Sequence, residues 1–454
     1  MTVSRNLVLF EDANVSDLGS IALTRPSFML RCGTTMLCEK IARTYDGAQL
    51  HLLCRTYLAD VLREELARLG VSAAVNDRET VARVGGLFVN GGLLPSDSLP
   101  ALKGPNEVAT ADGRVAYARL DAGCMARCPD CLEIDAEGLT HISAREGVAT
   151  RAAEGVSLVR YPWHLIIANA EQIEQDFEAL AKGKASEGII EEGAWVRVAD
   201  GDSVRVYGGG EATGLARRGR LPLYVGKGAV VQAMTVLDLT KGPAYIGPGV
   251  EIRGPTIIDG PFSIGDDSLI DGAKIREGVT IGPVCKVGGE VEESIFQGYS
   301  NKHHDGFLGH AYVGEWINLG ALATNSDLKN TYTSVDVYLN AAQVTGRASV
   351  DTGEYKTVGS YIGDHSKIGI GVMLNTGTHV GVACNLVGEM PPKYVPSFSW
   401  GSGSKLVTHR LDKMLQTADI VMGRRKRAPS EAYLAMMRAV YDRTEEERQS
   451  LGIA

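Results

Sequence analysis

The chain has 454 residues, 44% hydrophobic and 22% charged, and no uninterrupted apolar run of about 18 residues that would read as a membrane span. A net charge of −9 removes the electrostatic case for nucleic acid, which needs Lys and Arg in excess on one face. At roughly 100–200 residues per domain, this length predicts two or three domains.

The first apolar stretch is interrupted by Glu11, Asp12 and Asp17, which does not fit a secretory signal, so a cytoplasmic protein is expected. From Asn6 to about Phe177 short apolar strands alternate with helices. Leu7-Val8-Leu9-Phe10 is a strand, Met36 to Ala42 a helix, Leu50-His51-Leu52-Leu53-Cys54 a strand and Leu58 to Leu69 an amphipathic helix, after which Gly70-Val71 restarts a strand. This alternation predicts an α/β layer with a mostly parallel sheet over residues 1–183. A second, acidic helix is expected from Ile173 to Ala181, and the run Lys182 to Gly188 reads as the linker out of the domain.

Beyond the linker the period changes. Glycine is abundant, 54 residues in all against an average usage of about 7%, and most of the excess lies between Gly188 and Gly388. Ile246, Ile252, Ile258, Ile264 and Ile270 stand six apart, and after a one-residue slip Ile275, Ile281 and Val287 resume the count. Val313 and Leu319 hold it again, as do Ile362, Ile368, Leu374 and Val380. One aliphatic residue per six pointing into a narrow axis, with a small residue at the turn, predicts a hexapeptide β-helix over 188–388 whose coils stack to bury the inward row. The register breaks at Glu290–Leu308 and Asn325–Val358, and such interruptions map to outside loops where chemistry is placed. After Gly388 the chain is expected to leave the repeat through Pro391-Pro392 and Pro396 and to become helical from about Leu406 to Glu447, so that 389–454 form a loop and helical tail. The basic run Arg424-Arg425-Lys426-Arg427 within it reads as a solvated helix end.

The segment Lys302-His303-His304-Asp305-Gly306-Phe307-Leu308-Gly309, followed by Val313-Gly314-Glu315-Trp316-Ile317-Asn318-Leu319-Gly320, resembles the acetyltransferase half of the bifunctional bacterial N-acetylglucosamine-1-phosphate uridylyltransferase/glucosamine-1-phosphate acetyltransferase family. Leu23-Thr24-Arg25-Pro26, Val287-Gly288-Gly289-Glu290, Ser300-Asn301-Lys302 and Val395-Pro396-Ser397-Phe398-Ser399-Trp400 look like a divergent branch of it. The resemblance implies a nucleotidyltransferase-like α/β domain, a left-handed parallel β-helix that transfers an acyl group from acetyl-CoA to an amino-sugar-1-phosphate, and a homotrimer with sites between adjacent prisms. Counting back from Leu308-Gly309 places its catalytic histidine at His304, with His303 as the rival, and counting forward places its asparagine at Asn318. Lys356, in Tyr355-Lys356-Thr357, looks like the family's lysine segment.

Acetyl transfer to an amine needs a base, because a protonated amine has no lone pair, and imidazole suits that task. His304 is the expected base, Asn318 the residue that positions sugar or base, and Lys302 the point charge on the sugar phosphate. Backbone N–H groups of the coil turns would meet the oxyanion. A zinc reading stays open beside this one, because His303, His304, His310, His365 and His379 are available and zinc takes three convergent nitrogens.

In the first domain the family's glycine-rich phosphate loop is missing, since Leu7-Val8-Leu9-Phe10 runs into Glu11-Asp12-Ala13-Asn14-Val15. Thr24, Arg25 and Arg31, with Gly33, are the phosphate-binding candidates for a nucleoside triphosphate, and Asn169 stands where the resemblance implies a magnesium ligand. The alternative is that Arg25 and Arg31 are structural and the domain has lost or changed its activity. Cys124, Cys128 and Cys131 have the spacing of an iron–sulfur site but the wrong context; zinc or reduced thiols are the other readings. Two other functions therefore remain beside acyl transfer: nucleotidyl transfer with the β-helix as scaffold, and a non-catalytic sensor of sugar nucleotides.

Overall fold

A computed structural model describes residues 5–94, 99–145 and 147–453. The first domain is built on a seven-stranded sheet in the order Ala149–Ala152, Glu107–Ala111, Arg114–Asp121, Gly85–Asn90, Asn6–Phe10, Gln49–Leu53, Ala74–Val75. The last four strands run parallel, joined through helices such as Leu37–Thr44 and Ala59–Leu69. Arg114–Asp121 pairs antiparallel with both its neighbours, so the sheet is mixed; a short return from Glu107–Ala111 needs only a tight turn, whereas each parallel step needs a crossover. The acidic helix begins earlier than its composition indicates, at Pro162, and runs as Pro162–Leu180. A proline at the first helical position is tolerated because its missing N–H has no intrahelical partner there.

A left-handed β-helix follows, its first parallel strand at Ile189–Ile190. Every residue of the six-spaced series from Ile246 to Val287 is at most 1% exposed and belongs to one continuous core. The coils continue past Gly388: Tyr394–Val395 pairs parallel with His379–Val380, and Ser399–Ser402 with Asn385–Leu386. Val395 takes the inward place there although the prolines break the six-residue count. A hairpin with Lys405–Thr408 closes the last coil, and helices Leu411–Gly423, Glu431–Arg443 and Glu445–Ser450 fold back.

One corner of the prism sets up everything that packs on it. At each coil the residue three beyond the inward one adopts a left-handed backbone conformation: Asp267, Val284, Tyr299, Trp316, His365, Ala383 and Phe398 have φ between 53° and 61°. Non-glycine residues seldom enter that region, and here the sharp turn of the prism demands it coil after coil along this corner. Their side chains form a ladder along the corner, with Tyr299 stacked on Trp316 at 4.4 Å and Trp316 on His365 at 6.0 Å. On the adjoining face Ile295, Tyr312 and Tyr361 meet Leu18, Ile21, Leu30, Trp163 and Leu165 of the first domain in a shared apolar cluster. The α/β domain is thus fastened to the side of the β-helix.

Candidate functional site

Two places collect part of the residues singled out from the sequence; Asn169, Lys356 and the cysteines Cys124, Cys128 and Cys131 lie outside both. The first is the flank of the β-helix that carries His304. Its root is Lys302, which occupies an inward position in the row Ile270, Val287, Lys302, Leu319, Ile368, Leu386. Lys302 is 1% exposed, and its amine donates to the carbonyls of Gly288 at 2.8 Å and His304 at 2.9 Å. Burial lowers its pKa to about 8, with Asp305 pulling the other way. An amine enclosed in the coil axis does not reach a sugar phosphate; the expectation of a phosphate contact is corrected to a role in holding the loop. A sequence signal for this existed: counting back from Leu319 by the spacing that separates Ile270 from Val287 lands on Lys302.

The loop so held presents His304 to solvent. A second tether, Leu322 N–H to Asp305 C=O at 2.7 Å, fixes the other side. His303 is half-buried, 3.6 Å from Asp271 through Nε2, and lies edge-on to His304 with ring centroids 5.4 Å apart. Asn318 is exposed one coil further on and accepts a hydrogen bond from Asn301 Nδ2 at 2.8 Å. Lys356 is exposed in the excursion between Asn325 and Val358. That excursion is pinned at its base by His310, whose Nδ1 lies 2.9 Å from Asp327 and Nε2 3.3 Å from Glu293. Although burial opposes it, these two carboxylates raise His310 to about 9.

The second place is a cleft of about 490 Å³ between the α/β domain, the corner ladder and the tail. Thr24 and Arg25 reach it but are already engaged: Thr24 Oγ1 donates to Asp364 at 2.7 Å, and Arg25 grips both oxygens of Asp364 at 3.0 and 2.6 Å, with Glu315 at 3.4 Å. Asp364 and Glu315 belong to the β-helix, so this network joins the domains. Burial pushes the Glu315 carboxyl up while Arg25 pulls it down. Arg31 lies half-buried on the same wall, its guanidinium on Thr34 C=O and its backbone N–H on Gln297. Arg68 from helix Ala59–Leu69 pairs with Glu65. Arg427, the last residue of the basic run, enters from the tail and covers Tyr299 at 5.0 Å and Trp316 at 6.0 Å.

The end of strand Asn6–Phe10, the place of a phosphate loop in the family the chain resembles, is filled. Glu11 accepts from Ser27 N–H and from the backbone and guanidinium of Arg55 at 2.8 to 3.1 Å. Asn169 is 0% exposed; its Oδ1 accepts from Gly33 N–H at 2.6 Å and its Nδ2 donates to Gly278 C=O at 2.8 Å. An amide enclosed in this way does not fit a magnesium ligand, and it is a bond between domains. Among the described residues no group of three or more His, Cys, Asp or Glu side chains could hold a metal ion, and no described helix is long and apolar enough to cross a membrane.

Residues 7–185 match the model of a family described as sugar nucleotidyl transferase. No curated protein matches the chain. Among solved structures, the UDP-N-acetylglucosamine acyltransferase of Francisella novicida is 15% identical over 59% of this chain and 87% of its own, with a TM-score of 0.22. The Arabidopsis UDP-N-acetylglucosamine acyltransferase is 8% identical over 59% and 91%, with a TM-score of 0.15. A GDP-perosamine N-acetyl transferase variant of Caulobacter crescentus, solved with CoA and GDP-perosamine, is 13% identical over 80% and 97%, also with a TM-score of 0.15.

Proposed function

We propose that the protein is a coenzyme-A-dependent N-acyltransferase acting on an amino-sugar phosphate or its nucleotide derivative, with His304 as the base. The observation that carries this reading is the exposed imidazole of His304 on a loop whose backbone is tied down on both sides, by Lys302 and by Leu322. A base that must meet a bound ammonium group works best when its loop is already ordered, because no conformational entropy is then lost in the reaction. His304 takes the ammonium proton, the freed amine attacks the thioester carbonyl of acetyl-CoA, and the C–S bond breaks to release the CoA thiolate, which is protonated. Asn318 and Lys356 are proposed to orient the sugar.

Beside this loop Leu322, Ile370 and Met373 are 61%, 76% and 53% exposed, in coils joined by Gly371 N–H to Ala321 C=O. Such an apolar strip supports assembly with further copies, and a homotrimer with His304 near the subunit boundary is the proposed state. Release of CoA thiol from acetyl-CoA in the presence of glucosamine-1-phosphate tests the function. The expected result is sugar-dependent release that falls at least about 100-fold in His304→Ala, as for loss of a general base, while His303→Ala keeps most of it.

A second reading is favoured by the family match over residues 7–185 and by the guanidinium groups of Arg31, Arg68 and Arg427 around the cleft. Here the α/β domain transfers a nucleotidyl group to a sugar-1-phosphate, and Arg31 with Arg68 holds phosphate. Pyrophosphate release from a panel of nucleoside triphosphates and sugar-1-phosphates, with no thiol release from acetyl-CoA, would give this reading the lead.

A further inference from the structure

Among the described residues, the α/β domain carries a cluster of reactive side chains that neither reading uses. Cys124 lies on helix Ala122–Arg127, Cys128 caps its C-terminal end, and Cys131 closes the 3-10 turn Pro129–Cys131 that follows. Cys128 accepts at its carbonyl from Cys131 N–H at 3.1 Å, and Cys124 from Cys128 N–H at 2.8 Å. A hydrogen-bonded turn of this kind brings the Cα atoms of its first and fourth residues within about 7 Å, and a disulfide spans roughly 4.4–6.8 Å between Cα atoms. The side chains are turned toward each other: Cys131 Sγ stands 2.6 Å from Cys128 Sγ. Cys131 is 0% exposed and Cys124 3%, whereas Cys128 is partly open to solvent.

We infer that Cys128 and Cys131 form a reversible dithiol–disulfide pair, entered through Cys128 by exchange with a small-molecule disulfide. The thiolate of Cys128 attacks one sulfur of the oxidant R–S–S–R, the S–S bond breaks, and RS⁻ leaves and is protonated. Cys131, after losing its proton, then attacks the Cys128 sulfur of the mixed disulfide and expels the second RS⁻. Two cysteine thiols give up two electrons and two protons, and the oxidant is reduced to two RSH molecules. Burial, with the neighbouring thiols, raises the Cys131 thiol, so closure quickens as pH rises. The pair sits at the root of the hairpin Leu132–Ile134 and Thr140–Ile142. Between those strands Glu137 accepts at its carbonyl from Thr56 N–H at 2.8 Å and pairs with Arg443 of the tail. Oxidation therefore stiffens a segment that also holds the tail.

The full-length protein is equilibrated with mixtures of oxidised and reduced glutathione, quenched in acid, alkylated and mapped by peptide mass. Under oxidising mixtures the expected result is a Cys128–Cys131 bridge that reverts on raising reduced glutathione, with Cys131→Ser stopping at a glutathione adduct on Cys128. Mapping the unmodified sequence needs no variant to fold. Full alkylation of Cys128 and Cys131 across all mixtures would overturn the inference. So would a bridge formed by other cysteines, or about one equivalent of zinc released when the three thiols are blocked.

Discussion

Lys302 shows how one residue's surroundings reverse its expected use. A lysine in a loop rich in histidine and asparagine reads as a substrate contact, but the coil register turns it into the axis, where two carbonyls accept hydrogen bonds from its amine. A neutral amine has two N–H donors, which matches those two acceptors. Lysine's ordinary pKa of 10.5 falls to about 8 in the fold. Between those values the unfolded chain binds the proton that the folded chain has lost, so stability rises with pH across the interval. The gain is about 3 kcal/mol by the conversion of pKa shift to free energy. Urea unfolding at pH 7.5 and at pH 10 is expected to show this gain relative to Lys302→Met, which keeps the stem and lacks the amine. Equal pH slopes in the two proteins would remove Lys302 from the account.

At the scale of elements, the excursion between Asn325 and Val358 departs from a solenoid and needs its two ends held together. Val358 N–H donates to Asp327 C=O at 2.7 Å, and the carboxylate of Asp327 is in turn clamped by His310. Glu293 closes the other side of the imidazole, and beside it Glu292, itself paired with Arg276 at 3.5 Å, feels the imidazolium charge. His310 is raised from 6.5 to about 9, so its contribution is fully present below pH 6.5 and is lost as pH climbs through 9. That contribution is about 3 kcal/mol at most. Replacing it by glutamine is expected to lower the unfolding midpoint at pH 6 and to have far less effect at pH 9.5. Proteolysis of the excursion should accelerate in the same pH-dependent way. The repeat itself was legible from the series Ile246 to Val287, because only an inward aliphatic row keeps such a period. The excursion's clamp was not, because His310, Glu293 and Asp327 come from different coils and no local pattern links them.

For the whole molecule the decisive contact is Arg25 with Asp364. It lies at the seam of the two domains, 8% and 2% exposed, with Thr24 and the backbone N–H of Glu315 also donating to the carboxylate. Removing one partner of a buried pair costs about 3–5 kcal/mol, and Glu315 at 3.4 Å, which remains beside Arg25, sets the cost toward the lower end. Asp364→Ala is expected to loosen the α/β domain from the β-helix by that amount, seen as a separate early unfolding transition and as faster amide exchange at residues 24–31. A single unshifted transition would show that the apolar face of Tyr312, Tyr361 and Trp163 holds the domains by itself. Asn169 bonds across the same seam through Gly278, so the residues expected to bind phosphate and magnesium in the first domain are largely those that fasten it to the second.

The sequence by itself determined the β-helix and the alternation of strand and helix before it, because inward burial every sixth residue and helical spacing of apolar residues are local requirements written into consecutive positions. The expected break at Glu290–Leu308 is not one: Phe296, Lys302 and Leu308 stand six apart in the inward row, and His304 is exposed on the turn between strands Asn301–Lys302 and Phe307–Gly309 of the coil. The tertiary structure alone decided that Lys302 faces the axis, that Thr24, Arg25 and Asn169 are spent on the seam, and that Arg427 reaches a cleft beside Tyr299 and Trp316. Each of those depends on which distant segments are brought together, and charge pairing across hundreds of residues leaves no period for a sequence to display.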